Sequence, residues 1–463
     1  MHIMKYDKNY SRRYFLESIG KSALYAGMLA PLWDVIASDG DFSKAYPDEA
    51  LSIEDLSGGA VKPGGMIDAD NVESVRHLMD PGTFIQISQQ GRMVRMAEKT
   101  TTDIFSLNPR AYIEATLRNR YKALIDAKGN VIVAGRKPWI GGNPFPDGGS
   151  AHKIMASHVL NWSRRDSSAY PIMEWDMNAD GEQQFHYHYY FVEVMATGRV
   201  LLDPKPYLND NLEILRYHTV MATAPADFQP GTSLVSQWKT DQTKWPNYFA
   251  YLPALKRVMR WSVLPRFEPL VPGTTMTATD VPFWLMGDPF LTWGNFKLKG
   301  AVPWLGSTSG TWEGKTDNWE HGRVGGANGK KFFESTFELI PEVYAIDLEP
   351  VAYSTSPYAK KRVWFDARTM TPLAMNIFDH QGELWKSAEC GTSLFKAKDG
   401  TRWPANGEPY WSWTYCHMHD FSNDYVSIFE QTQHVDGGFN ARYDDPDLYE
   451  QFCTIPAVRR LGK

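Results

Sequence analysis

Two histidines separated by one residue are the first candidates for chemistry in this sequence. His186 and His188 lie in residues 185–191 (FHYHYYF), whose composition predicts a β-strand. Successive side chains of a strand alternate between its two faces, so both imidazoles share one face, a spacing that suits a metal ion. A third ligand from residues 416–420 (CHMHD) would complete a zinc or copper site.

The alternative interpretation gives these histidines a structural role. They would then be aromatic-like side chains of a partly buried strand, hydrogen-bonded to neighbouring tyrosine hydroxyls. The sequence does not identify a third metal ligand for this pair. We therefore prefer the structural interpretation and expect neither a metal nor any other cofactor. His186 and His188 remain the candidates to test for metal.

No other catalytic motif accompanies them. The sequence contains no dinucleotide-binding glycine motif after a strand, no Walker loop, no Cys-x-x-Cys, no His-Glu-x-x-His and no Gly-x-Ser-x-Gly. Asp379 and Glu383 flank His-Gln-Gly, a pattern typical of a capped hairpin turn. Asp280 has no acidic partner close in sequence and does not indicate an acid–base couple. We therefore expect a protein that is not an enzyme.

Three cysteines are too few for a disulfide scaffold. They are Cys390, Cys416 and Cys453. Cys390 and Cys416 can lie on neighbouring strands and form one bridge in an oxidising compartment. Equally, all three can be buried free thiols, and the sequence leaves both alternatives open.

Composition indicates a folded protein and excludes a nucleic-acid binder. The chain has 463 residues, 43% hydrophobic and 22% charged, and a net charge of −6. It has no surplus of cations to neutralise phosphates. It also has no apolar run of about 18 residues, so we expect no transmembrane helix. The unusual feature is the aromatic content, with 17 Trp, 23 Tyr and 23 Phe.

The N-terminus has the layout of an export signal. Paired arginines, Arg12 and Arg13, precede Phe15 and Leu16, and a modestly apolar stretch and small residues follow up to position 37. This segment resembles a bacterial twin-arginine signal. The resemblance implies recognition by the twin-arginine export machinery and a periplasmic location. The alternative is an amphipathic surface helix with a chance arginine pair.

Beyond the signal, strands and turns alternate at short intervals. This pattern is typical of an antiparallel meander with few helices. We expect an N-terminal helical and loop region with the first hairpin in residues 38–145. The main antiparallel β domain would follow in residues 146–463 and be continuous with it.

The individual elements follow from turn and capping signals. Predicted helices cover residues 72–79, 109–117 and a turn or two of 253–260. Predicted long loops cover residues 137–149, 225–231 and 304–329. Predicted strands cover residues 121–125, 131–134, 185–195, 200–202, 342–351, 361–366, 373–378, 383–387, 410–419 and 425–434.

Large apolar residues on both faces predict that the sheet is covered on both sides or bends around a space. Tyr187 and Tyr189 share one strand face, and Trp411 and Trp413 share a face of another strand. A strongly curved antiparallel sheet with short helices across its mouth would satisfy this. A fully packed sandwich without a cavity is the alternative.

Several sequence blocks resemble the bacterial domain-of-unknown-function 1329 family. Residues 245–261 resemble its Tyr-Leu-Pro and basic block, and Asp280 with Gly287 resembles its acidic block. Residues 141–146 resemble its GG-x-PFP loop. Residues 362–366 and 378–385 resemble its R-V-x-Y-x-D … Y-D-x-x-G-E-L block. The basic block is diluted by Ala254, Leu255 and Met259, and Thr279 replaces one of two acids.

The resemblance implies an exported protein related to the outer-membrane lipoprotein carriers LolA and LolB. It implies an α+β, mostly β fold: an incomplete barrel covered by short helices and long loops, with an apolar concavity. No catalytic residues come with this family. The expected function is therefore that of a periplasmic, non-enzymatic carrier for a lipid, a lipoprotein acyl chain or a similar hydrophobic molecule.

Ligand contact is assigned to aromatic residues of this predicted concavity. Outer-membrane or envelope transport proteins are the expected protein partners. Two alternatives remain: an exported metalloprotein or enzyme that uses His186 and His188, and an assembly partner of an envelope transport complex. The candidate ligand-binding residues are Tyr187, Tyr189, Tyr251, Trp261, Trp411 and Trp413.

Overall fold

The computed structural model describes residues 51–225, 232–261, 265–281, 285–313, 318–319, 329–332, 334–396 and 410–461. The predicted export signal lies outside these residues, as do its members Arg12, Arg13, Phe15 and Leu16. None of the helices in the described ranges has the length and apolar run that crossing a bilayer requires.

Short α-helices with local capping signals punctuate the chain. They are α1 (Ile53–Leu56), α2 (Val72–Val75), α3 (Pro81–Gln90), α4 (Arg110–Asn119), α5 (Ala151–Leu160) and α6 (Ile455–Leu461). Helices 72–79 and 109–117 were predicted and correspond to α2, with a following 3-10 turn, and to α4. The sequence reading missed α3 and α5, although Asp80 and Ser150 cap them by accepting hydrogen bonds from first-turn backbone N–H groups.

Most of the described chain is β-structure. The strands of its first half are β1 (Met66–Ile67), β2 (Val94–Met96), β3 (Leu124–Ile125), β4 (Val131–Val133), β5 (Lys137–Pro138), β6 (Ser167–Met177), β7 (Gln183–Met195), β8 (Ile214–Ala224), β9 (Ser233–Lys239), β10 (Asn247–Leu252) and β11 (Arg257–Trp261). Those of the second half are β12 (Gly294–Gly306), β13 (Thr308–Glu313), β14 (Ser335–Glu349), β15 (Lys360–Asp366), β16 (Thr371–Phe378), β17 (Leu384–Lys396), β18 (Trp411–Asp420), β19 (Tyr425–Gln431), β20 (His434–Val435), β21 (Phe439–Asn440) and β22 (Arg442–Tyr443).

One large sheet organises the molecule. Its long strands pair antiparallel in the order β11-β10-β9-β8-β7-β6-β19-β18-β17-β16-β15-β14-β12. The sheet does not close into a barrel, and the fold is mostly β with few short helices, as predicted. It is mixed and not purely antiparallel, because β13 runs parallel to β17 and β2 runs parallel to β14.

Residues 200–202 were predicted as a strand and are not one. The Asp166 carboxylate accepts hydrogen bonds from the backbone N–H groups of Val200, Leu201 and Leu202, at 2.8, 2.7 and 2.7 Å. These N–H groups are therefore unavailable to a sheet ladder. The antiparallel partner that follows β7 is β8, after this loop.

Two further predictions were wrong in part. Residues 253–260 were predicted as helix, but only a 3-10 turn at Pro253–Leu255 forms, and β11 follows it. β11 pairs along its length with β10, so its backbone hydrogen bonds go to the sheet. Residues 304–329 were predicted as a loop, whereas β12 continues to Gly306 and β13 follows.

The two faces of the sheet have different covers. We call the face that carries the main apolar core the inner face; Ala388 and Cys390 of β17 belong to it. Helix α5 packs there through Ile154 and Val159. Neighbouring side chains of a strand alternate between faces, so Ser387 lies on the opposite, outer face. Gly82 of α3 lies directly against it, because a Cβ added to Gly82 would come within 2.2 Å of the Ser387 side chain.

A buried polar network fastens residues 51–97 to the outer face. The Arg92 guanidinium donates to Gln86 Oε1 at 2.7 Å and to Glu389 Oε1 at 2.9 Å. The Tyr415 hydroxyl donates to the same Glu389 oxygen at 2.5 Å. Because Arg92 and Glu389 are both almost fully buried, each needs the other as a counter-ion. The division into 38–145 and 146–463 stays a prediction.

Candidate functional site

The six predicted ligand-binding aromatics fall in separate parts of the fold. Tyr187 and Tyr189 lie on β7, and Tyr187 is buried. Tyr251 packs with Val458 of α6. Trp261 lies on the edge strand β11, and 36% of it is exposed.

The two tryptophans of β18 have different neighbours. The ring centroid of Trp413 lies 5.7 Å from that of Tyr170 in the main core. Trp411 packs with Leu107, and the Arg164 guanidinium lies 4.3 Å from its ring centroid. The structure therefore does not gather the six residues into one wall. Their contact with a ligand stays a prediction.

His186 and His188 do share a face, as predicted. Their ring centroids are 4.7 Å apart. His188 Nδ1 lies 2.8 Å from Asp436 Oδ2, and the His186 ring stacks on Trp175 with centroids 5.1 Å apart. The expected bonds to tyrosine hydroxyls are thus replaced by a carboxylate and an indole. Burial lowers the pKa of His186, and the neighbouring His188 lowers it further.

The predicted third ligand from residues 416–420 does not join the pair. His417 lies on β18, and β6 and β19 separate that strand from β7, a distance of about 14 Å at the usual strand spacing. Cys416 belongs to the core of the inner face, whereas His186 and His188 alternate with the inner-face residue Tyr187 and lie on the outer face. His417 shares that outer face but is three strands away. Among the described residues, no group of three or more His, Cys, Asp or Glu side chains is placed to hold a metal.

The cysteines are buried free thiols in the structure. Cys390 and Cys416 are direct register partners on β17 and β18, which confirms that they lie on neighbouring strands. Burial raises the pKa of Cys453 to about 12. A thiol with such a pKa is a poor nucleophile at neutral pH, so this residue packs and does not react.

An irregular polar segment crosses the inner face. We call residues 266–281 the strap. Its residues 274–280 (TTMTATD) are all buried, and Met276 belongs to the main core. A buried segment this rich in hydroxyls needs hydrogen-bond partners, because unpaired buried polar groups are costly.

Side chains of the sheet supply those partners. Ser427 Oγ accepts from the Thr275 backbone N–H at 2.8 Å, and Lys386 Nζ donates to the Thr275 carbonyl at 2.7 Å. The Tyr187 hydroxyl donates to the Pro272 carbonyl at 2.9 Å. The strap is therefore attached to the wall by side chains and not by a strand ladder.

A fully buried ion pair anchors the end of the strap. Lys361 Nζ on β15 donates to Asp280 Oδ1 and to the Thr279 carbonyl, both at 2.9 Å, and neither charged side chain is exposed. Burial lowers the pKa of Lys361, and the Asp280 charge opposes this effect. Gly287 has φ +67°, and a Cβ there would lie 1.9 Å from the Thr279 oxygen. The close approach of the Thr279 carbonyl explains why a glycine occupies position 287 after Asp280.

Two carboxyls beneath the strap form a second buried group, which sequence reasoning missed. Glu174 and Asp176 lie on β6 and are 1% and 0% exposed. Ser427 Oγ donates to Asp176 Oδ1 at 2.5 Å, so this serine connects the pair to the strap at Thr275. Glu174 Oε1 and Asp176 Oδ2 accept no hydrogen bond from any donor in the described chain.

Both carboxyls have pKa values raised by burial, which favours a protonated Glu174 beneath the strap. Burial raises the pKa of Glu174 well above its usual value, and the charge of Asp176 raises it further. Burial also raises the pKa of Asp176 to about 6, against opposing hydrogen bonds from Ser427 and Glu174. The only sequence signal was the Glu-x-Asp spacing, which places two carboxyls on one strand face.

Comparison with known proteins assigns the chain to a family. Residues 66–453 match the sequence profile described as "Protein of unknown function (DUF1329)", so the chain belongs to this family. Nothing matches among curated proteins.

Several solved structures are similar to this chain at low sequence identity. A DUF1329 family protein from Desulfovibrio piger is 14% identical, with a TM-score of 0.40, covering 66% of this chain and 95% of its own. A putative outer membrane lipoprotein-sorting protein domain from Vibrio parahaemolyticus is 14% identical, with a TM-score of 0.39, covering 67% and 97%. A LolA superfamily protein from Nitrosomonas europaea is 13% identical, with a TM-score of 0.34, covering 66% and 98%.

Removing the charge of Lys361 should strongly destabilise the protein. Lys361→Met leaves Asp280 buried without its cation, and we expect a loss of about 3–5 kcal/mol in the free energy of unfolding, measured by urea denaturation. Lys360→Met, at the half-exposed neighbouring position, should cost much less. The double variant Lys361→Met/Asp280→Asn should recover part of the loss. Equal costs for Lys361→Met and Lys360→Met would contradict this role.

Stability should fall as the pH rises through the pKa of Asp176. Its folded pKa, about 6, lies above the unfolded value, so the favourable contribution is complete below about pH 4 and is lost toward neutral pH. Asp176→Asn should therefore gain stability relative to the wild type as pH rises from acid to neutral, by up to about 3 kcal/mol. Unfolding free energies across this range measure the effect. The control Asp210→Asn, at an exposed position, should show no gain in stability with rising pH. An equal gain in both variants would contradict the role assigned to Asp176.

Proposed function

We propose that this protein is a non-enzymatic periplasmic carrier for a hydrophobic molecule, such as a lipid or the acyl chain of a lipoprotein. The observation that supports it is the inner face of the sheet. That face is lined with buried apolar and aromatic side chains but is crossed by a short polar strap held through side-chain hydrogen bonds. The resemblance of residues 11–16 to a twin-arginine signal supports the location.

A comparison of energies supports replacement of the strap by an acyl chain on the inner face. A net intramolecular hydrogen bond stabilises by about 0.5–1.5 kcal/mol, so the bonds of residues 272–275 to Ser427, Lys386, Tyr187 and the Met418 carbonyl together contribute a few kcal/mol, apart from the ion pair at Asp280. Each buried methylene of an acyl chain contributes about 0.8 kcal/mol. A chain of about ten methylenes therefore outweighs these bonds. Such binding requires shape and apolarity and no reactive group.

The reactive side chains of the inner face already have structural partners. Lys361 is paired with Asp280, and Lys386 bonds the strap carbonyl at Thr275. Glu174 and Asp176 are buried beneath the strap, and Ser427 donates a hydrogen bond to Asp176. These groups position the strap over the wall, which supports a binding role over a catalytic one.

Loosening the strap should speed the uptake of an acyl chain. Ser427→Ala removes the acceptor for the Thr275 N–H and the donor to Asp176. We expect a fluorescent fatty acid to bind the wild type at one site and to associate several-fold faster with the variant, because opening costs less. Stopped-flow fluorescence measures the rates, and native mass spectrometry measures the stoichiometry.

Ser412→Ala is the matched control for this experiment. Ser412 is also a buried serine of the sheet, but it bonds Gln431 and makes no bond to the strap. Its uptake rate should equal that of the wild type. If the wild-type protein takes up no acyl chain and none is found in protein extracted from the exported fraction, the carrier proposal is wrong.

A further inference from the structure

One end of the sheet carries an exposed basic hairpin that the carrier proposal does not use. The hairpin consists of β10, the 3-10 turn Pro253–Leu255 and β11. β11 pairs only with β10 in the described chain, so it forms a free edge of the large sheet. Lys256, Arg257 and Arg260 are all exposed on this edge.

The charge of this hairpin is opposite to that of the whole molecule. The chain carries a net charge of −6, yet residues 242–267 contain no Asp or Glu. Arg266, the last cation of the segment, is buried against Asp288 and contributes little to the surface. Concentrated cations on an otherwise acidic protein indicate a complementary anionic surface.

Helix α6 extends the same basic end. It contacts β9, β10 and β11, and its Val458 packs with Val258 of β11. Its Arg459 and Arg460 are exposed. The acidic residue closest in sequence, Glu450, precedes the helix in the π-helical turn Tyr449–Cys453.

Apolar side chains are exposed among these cations. Leu255 at the tip of the turn is 50% exposed, Trp261 at the end of β11 is 36% exposed, and Ile455 of α6 is 42% exposed. Cations on an edge strand also prevent strand-to-strand aggregation, but that role does not account for an exposed leucine and tryptophan beside them. Tryptophan and leucine together with lysine and arginine are the residues that insert at a lipid–water interface.

The residue that ends the 3-10 turn of the hairpin is a lysine in an unfavourable backbone conformation. Lys256 has φ +51°, in the left-handed region that favours glycine or asparagine. A cation is therefore present there at a conformational cost. This places a charge at the turn between β10 and β11.

We propose that the hairpin docks the protein on an anionic phospholipid bilayer. Its residues 255–261 and the adjoining helix α6 form the contact surface. The cations attract the lipid phosphates, and Leu255 and Trp261 enter the interface. An anionic bilayer fits better than an acidic peptide because exposed leucine, tryptophan and isoleucine lie among the cations, a combination suited to a lipid–water interface. The docking does not depend on a ligand bound at the inner face.

Flotation with vesicles tests this inference. The full chain should bind vesicles of phosphatidylcholine mixed with phosphatidylglycerol, fail to bind phosphatidylcholine alone, and be released by high salt. The variant Lys256→Gln/Arg257→Gln/Arg260→Gln should bind about 100-fold more weakly, since each cation near an anionic membrane contributes about a factor of five. Leu255→Ser/Trp261→Ser should also weaken binding at constant charge.

The matched control removes the same charge elsewhere. Arg118→Gln/Arg136→Gln/Lys137→Gln changes three exposed cations away from the hairpin and should bind as the wild type does. Absence of wild-type binding to anionic vesicles, or equal binding by both triple variants, would overturn the inference. Capture of an acidic peptide by the hairpin without vesicle binding would overturn it too.

The same experiment separates docking from lipid carriage. Docking retains the protein on intact vesicles and is reversed by salt, whereas carriage leaves lipid on protein that has been separated from the vesicles. Ser427→Ala should change the second measurement and leave the first unchanged. A negative result for vesicle docking therefore does not decide the result for lipid carriage, and the reverse also holds.

Discussion

The ion pair between Lys361 and Asp280 is the constraint on which the cover of the inner face depends. Both charges are fully buried, and each would be several kcal/mol unfavourable without the other. Lys361 belongs to a central strand, so its position is determined by β14 and β16 on either side. Asp280 must therefore come to Lys361, and the strap follows Asp280 across the sheet.

A polar strap over an apolar wall is an uncommon way to cover a sheet. Helix α5 buries mainly apolar side chains, such as Ile154 and Val159, and is stabilised chiefly by that apolar area. The strap buries Met276 in the main core, but its position is determined chiefly by hydrogen bonds between its polar groups and side chains of the wall. The two covers of the inner face thus differ in how they are held.

Sequence reasoning was most successful where hairpins are local. β16 and β17 were predicted because Asp379 caps their turn, accepting from the N–H groups of Gln381 and Glu383. β9 was missed because its sequence, Ser-Leu-Val-Ser-Gln-Trp-Lys, has few strong strand signals and depends on pairing with β8 and β10. Residues 200–202 were assigned wrongly because Asp166, about 35 positions away, decides where their N–H groups bond.

The candidate site was harder to predict than the fold, and for a different reason. Strand alternation correctly placed His186 beside His188, since the period of two is a local property. Whether a third ligand joins them depends on which strands lie between, and that order is not local. Glu174 and Asp176 have the same local spacing, but their raised pKa values come from burial under a strap that lies about 100 residues further along the chain.

The positions of the charged groups determine which part of the strap can open. Lifting Asp280 from Lys361 would leave both charges unpaired in an apolar wall. Lifting Thr275 would break neutral bonds to Ser427 and the Met418 carbonyl and one charged bond from Lys386, whose ammonium also lies 3.8 Å from Asp420. If the strap opens, residues 270–276 therefore cost less to lift than Asp280 does. Glu174 and Asp176 lie beneath these residues, so such a movement would uncover Asp176, whose pKa burial raises to about 6. A hydrophobic molecule that enters there would bury that group again, and its uptake becomes linked to the protonation of Asp176.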